Sequence, residues 1–70
     1  MKQSTIAARR AAFAAAVLAA GIDLNTDFHA LPLAAVSTLH DLAKQFNYRR
    51  PAGYPGSLAR AFYYSAQRAK

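Results

Sequence analysis

The three glycines and three prolines of this 70-residue chain stand at three places only, and they restrict its fold more than any other feature. Gly21 closes a first run, Pro32 opens a second, and Pro51, Gly53, Pro55 and Gly56 crowd one short stretch before the third. Glycine ends helices by turning left-handed, and proline is excluded from helix interiors and central strands. The three runs left between these breakers carry apolar residues at helical spacing. They predict an all-α fold: a small three-helix domain, residues 1–70, with a long Pro/Gly loop between helices 2 and 3.

The first predicted helix covers Thr5–Ala20, with Ser4 as N-cap and Gly21 in the C′ position. At 100° per residue, Ile6, Phe13 and Val17 share one stripe, whereas Ala8, Ala11, Ala12, Ala15 and Ala19 form an opposite face with nothing polar in it. A helix without a polar face is usually covered on both sides. A chain this short, with no cysteine to staple it, gains burial most readily from a second copy. Those five alanines are therefore the expected interface of a homodimer. The simpler alternative is that alanine is a strong helix former standing in water.

Residues 21–31 read as a connector, with Asn25, Thr26 and Asp27 as turn or cap residues, one helical turn at Phe28–Ala30, and Leu24, Phe28 and Leu31 as anchors. The second helix starts near Pro32, in the first helical position, and ends near Phe46 or Asn47. Ala35, Leu39, Leu42, Ala43 and Phe46 form its apolar face; Ser37, Thr38, His40, Asp41, Lys44 and Gln45 form its polar one. After the loop 47–56, Ser57 caps a third helix from Leu58 to about Arg68.

Charge is distributed unevenly along this frame. Through residue 41, Lys2, Arg9 and Arg10 balance Asp23, Asp27 and Asp41. Beyond it, Lys44, Arg49, Arg50, Arg60, Arg68 and Lys70 meet no acid, so the whole net charge of +6 belongs to the second half. Such a field draws in polyanions without selecting among them. The basic residues ahead of Ala11–Ile22 imitate a secretory leader, but cleavage there would leave too little chain for a domain. The apolar run is also shorter than the roughly 20 residues of a membrane span. A cytoplasmic protein with no membrane partner is expected.

Two patches are candidates for binding. On helix 3, Leu58, Phe62, Ala66 and Ala69 should face the core, leaving Arg60, Tyr63, Tyr64, Gln67 and Arg68 on the other side. Tyr64 has an arginine four residues away in each direction, a spacing that allows guanidinium stacking on its ring. Arginine suits phosphate, and glutamine and tyrosine offer hydrogen bonds to bases or sugars. The plainer reading is that one of the two tyrosines completes the core. In the loop, Tyr48, Arg49, Arg50 and Tyr54 form a second patch, with the arginine forks held ready by the neighbouring prolines. Its tyrosines could equally pin the loop to the body.

Nothing points to catalysis. His29 follows Asp27 and His40 precedes Asp41, but neither adjacency brings side chains together on a helix. There is no cysteine nucleophile, phosphate-binding glycine loop, carboxylate pair or metal-ligand spacing. No catalytic residue, metal, cofactor or small-molecule substrate is expected. Residues 42–46 and 57–61 look faintly like the two helices of a helix-turn-helix, although the motif's turn is about three or four residues and the gap here is ten. In a stretched version the loop would touch the DNA backbone and helix 3 would enter the major groove.

The segment Phe46-Asn-Tyr-Arg-Arg-Pro, followed by Gly56-Ser-Leu-Ala-Arg-Ala-Phe-Tyr-Tyr, is similar in style to short basic accessory proteins of bacteriophages and prophages, over residues 46–70. The resemblance is compositional and transfers no individual residue role. It implies a small protein that binds DNA or occupies the surface of one host protein.

The favoured expectation is nucleic-acid binding, double-stranded DNA foremost. Arg49, Arg50, Arg60, Arg68 and Lys70 would meet phosphates, and Tyr64 and Gln67 would approach bases or sugars. The competing expectation is an inhibitor or adaptor whose Tyr48, Tyr54, Tyr63, Tyr64 and arginines dock on an acidic host-protein surface, since Tyr and Arg dominate protein hot spots too. A membrane-surface role for helix 1 is weaker, because its outer face is mostly alanine.

Overall fold

A computed structural model of the chain describes the backbone of residues 3–69 and the side chains of residues 6–69. It contains α1 (Gln3–Ala19), α2 (Leu33–Gln45) and α3 (Leu58–Gln67), with a single 3-10 turn at Phe28–Ala30 and no strand among the described residues. The all-α, three-helix class read from the breakers is the observed one. Among the described residues, no helix is long and apolar enough to cross a membrane.

Helices 1 and 2 stop by the same device. Gly21 takes φ +84°; its N–H reaches Leu18 O at 2.9 Å, and the N–H of Ile22 reaches Val17 O at 3.2 Å. At the other stop Asn47 takes φ 54°, with Asn47 N–H on Lys44 O at 3.1 Å and Tyr48 N–H on Ala43 O at 2.9 Å. Both are Schellman motifs, in which a left-handed residue lets two N–H groups satisfy the last carbonyls. Each is accompanied by apolar burial, Ile22 on Val17's side of the core and Tyr48 against the core near Ala43. The starts are less regular. Helix α1 is already helical at Gln3, so Ser4 lies inside it and not at its cap. Pro32 is the N-cap of α2, with extended ψ of 159°, one place earlier than expected. Ser57 does cap α3, its hydroxyl accepting the Arg60 N–H at 3.2 Å.

The third helix is the hub, packed against both α1 and α2. Ala59, Phe62, Tyr63 and Ala66 are buried together with Phe13, Val17, Ile22, Leu24, Leu39 and Ala43. Four rings from four segments meet beside it. Phe13 lies 5.2 Å from Phe46, 5.6 Å from Tyr48 and 4.7 Å from Phe62, with tilted or edge-on geometries that aromatic quadrupoles favour. Tyr48 completes the group 5.7 Å from Phe62 and donates its hydroxyl to Ala61 O at 3.3 Å. This cluster anchors the beginning of the long loop to the body of the molecule.

Several side-chain expectations fail here; Ala69, expected to face the core, is exposed. Ile6 does not join the buried stripe of Phe13 and Val17 but is 59% exposed. Tyr63, expected on the outer face of α3, is 0% exposed. Its hydroxyl proton is shared between Asp23 O at 2.7 Å and Thr26 O at 2.6 Å. Gln67, one turn on, donates to Leu24 O at 2.8 Å. Two side chains assigned to binding therefore hold the connector, which has too little regular structure to satisfy its own carbonyls.

A candidate anion-binding cleft

Phe13 and Val17 bring α1 against α3, and the Tyr48 anchor lays the loop across their end. Between the three segments is an open cleft of about 450 Å³. Arg9 and Arg10 enter it from α1, Arg49 and Tyr54 from the loop, and Tyr64 and Arg68 from α3. Ile6 forms an apolar lip, and Ser65 adds a hydroxyl. A second hollow of about 440 Å³ adjoins it, lined by Arg49 to Tyr54, so that Arg49, Pro51 and Tyr54 form a ridge between the two.

Among the described residues, no carboxylate lines either hollow. The chain's six arginines equal its net charge of +6, and its three lysines formally cancel its three aspartates. Five of those six arginines, 9, 10, 49, 50 and 68, line the two hollows. Gathering like charges costs self-repulsion that a bound polyanion removes.

The arginines are held differently. Arg9 donates to Phe46 O at 3.2 Å, at the negative end of α2, and its guanidinium lies 5.4 Å from the Phe13 ring centroid. Arg50 donates to Gly56 O at 2.9 Å and so braces the loop across its own width. The side chains of Arg10, Arg49 and Arg68 make no hydrogen bond, ring contact or ion pair with another described residue. Arg60 lies beside the cleft with its guanidinium 5.5 Å from the Tyr64 ring centroid. The Tyr64 side chain, through hydrogen bonding, is the largest influence that raises the Arg60 pKa above its already high value. The expected stacking of Tyr64 between Arg60 and Arg68 is thus realised on the Arg60 side alone.

The loop's shape depends on its glycines. Gly53 adopts φ +77°, within a turn closed by Tyr54 N–H on Pro51 O at 3.0 Å. A Cβ on Gly56 would stand 2.7 Å from Tyr54 Cε2 and 2.8 Å from Arg60 Cδ. Both side chains close over Gly56 and would have to swing aside for a Cβ there.

Of the residues singled out in the sequence, Arg49, Arg50, Tyr54, Tyr64 and Arg68 come together along the two hollows, with Arg60 at the edge. Tyr63 and Gln67 do not, for the reason given above, and Lys70 lies outside the described residues. Arg9 and Arg10 were missed because the charge of the first half sums to zero. Their spacing could have revealed them: Arg10 follows Ile6 by four residues and Arg9 precedes Phe13 by four, which puts both on the inward flank of α1.

Helix α3, the second helix of the helix-turn-helix expectation, packs against α1 and α2 with five of its ten residues buried, and its other side carries Arg60 and Tyr64. Among the described residues, no three His, Asp or Glu side chains gather as a metal site. The site defines a class, a small helical domain with an arginine-lined cleft. No protein-family model, curated protein or solved structure matches the chain.

Proposed function

We propose that this chain is a nucleic-acid-binding protein without catalytic activity, which seats backbone phosphates among the arginines of the cleft. One observation carries the reading: four arginines from three separate segments line a single hollow with no carboxylate among its described lining residues. Guanidinium forks meet phosphate oxygens in pairs, and no other described residue engages the side-chain donors of Arg10, Arg49 and Arg68. Tyr54 and Tyr64 add ring surface beside them.

An acidic segment of a host protein is the competing occupant, supported by the same Tyr and Arg lining. Salt separates the two. Three to five phosphate contacts give a slope of log affinity against log salt of about −2 to −4. Fluorescence anisotropy of a mixed-sequence oligonucleotide over a salt series is the test. No binding at low salt refutes nucleic-acid recognition, and tighter binding of polyglutamate than of the oligonucleotide favours the protein partner.

A homodimer belongs to the same proposal. Ala8, Ala11, Ala12, Ala15 and Ala19 are all exposed, and Leu18 beside them is 57% exposed. This uncharged face lies on the side of α1 away from Phe13 and Val17. Two chains paired there would carry their cationic clefts outward and double the charge available to one polyanion.

A further inference from the structure

We infer that the occupant of the cleft is a single-stranded nucleic acid, not a duplex; this rests on the nucleic-acid reading above and specifies it. The two hollows adjoin along the ridge of Arg49, Pro51 and Tyr54, and together they make one groove with cations along its length. Arg9, Arg10 and Arg68 stand on one side of the ridge and Arg50 on the other, with Arg49 shared. A strand crossing the ridge meets arginine before, at and after it. Tyr54 stands at the crossing point, half-buried and free of ring contacts among the described residues. A ring in that position can stack only on a base whose face is open, which a single strand offers and the interior of a duplex does not.

The shape argues in the same direction. Reading a duplex requires an element that projects into a groove about 12 Å wide, or a broad surface lying across its phosphates. The helix bearing Arg60 and Tyr64 packs against both other helices, and Arg10, Arg49 and Arg68 line a concavity. Hollows of about 450 and 440 Å³ are of the size that holds a small ligand, which matches a nucleotide unit and not a double helix. Arg50 and Gly56 hold the ridge in shape before any strand arrives, the first through its 2.9 Å bond to Gly56 O.

The test measures the full chain by fluorescence anisotropy against labelled oligo-dT and oligo-U of 15 nucleotides, the dT–dA duplex of equal length, and polyglutamate. Single strands are expected to bind at least tenfold more tightly than the duplex at about 150 mM salt, and the two single-strand arms show whether DNA or RNA is preferred. Tyr54→Ala should weaken single-strand binding about tenfold with the salt slope unchanged, while Tyr54→Phe retains it. Arg49→Ala should reduce the slope by about 0.7, the loss of one phosphate contact on a single strand. Circular dichroism of each variant establishes that it is folded. Equal or tighter duplex binding, or a Tyr54→Ala affinity equal to that of the parent, overturns the single-strand inference and leaves nucleic-acid binding standing. Absence of binding to every oligonucleotide at low salt, or preference for polyglutamate, overturns the reading on which it rests.

Discussion

Replacing Tyr63 by phenylalanine separates a structural tyrosine from a ligand-binding one. The ring is 0% exposed, and its hydroxyl is the shared donor for Asp23 O and Thr26 O. The variant keeps the ring and its packing and removes the donor. A net hydrogen bond is worth about 1 kcal/mol, and a buried carbonyl left without a partner costs about 1–3 kcal/mol. One of the two carbonyls can turn toward water, so we expect a loss of about 2 kcal/mol. A domain of this length has only about 3–10 kcal/mol of stability, and its Tm moves by about 4–8 °C per kcal/mol. Thermal melts followed by circular dichroism should therefore show a fall of about 8–16 °C, while oligonucleotide affinity well below the melt stays that of the parent. The alkaline limb of stability gives a second reading. Burial, first, and the charge of Asp23 push the Tyr63 pKa above its ordinary 10.0. The unfolded chain then releases this proton near pH 10 while the folded chain retains it. The contribution is complete below that pH and is lost as pH rises through the folded-state value. Urea midpoints at pH 8.5 and 10.5 should differ less in Tyr63→Phe than in the parent. A Tm change below about 3 °C, or weakened oligonucleotide binding at unchanged stability, would refute the assignment of Tyr63 as the connector's clamp.

Three further changes probe the other features. Gly56→Ala forces Tyr54 and Arg60 off their present positions; because both are side chains that can swing, oligonucleotide affinity should fall several-fold in anisotropy while the melt moves little. Asn47→Ala puts a residue poorly suited to left-handed backbone at φ 54° and should cost about 1 kcal/mol in urea unfolding, whereas Asn47→Gly should be neutral or better. Ala15→Glu places a charge in the middle of the exposed alanine face; sedimentation should show a dimeric parent reduced to monomer, and a parent that is monomeric throughout refutes pairing there.

Sequence by itself settled the segmentation and most of the interior. Gly21, Pro32 and the Pro51–Gly56 stretch act through local backbone geometry, so the stops they impose do not depend on what packs nearby. Phe13, Val17, Leu39, Ala43, Phe62 and Ala66 were readable as core because helical periodicity alone puts them on a common side. Tertiary structure decided the rest. Whether Tyr63 faced water or the connector depended on the connector's carbonyls needing a donor, and those lie about forty residues away in the chain. Charge summed along the sequence gave Arg9 and Arg10 no role, since the aspartates that balance them on paper line neither hollow. Electrostatic potential follows distance in space and not position in the chain. The Pro/Gly breakers fix three helices; the packing of α1 and the loop against α3 brings five scattered arginines to two adjoining hollows.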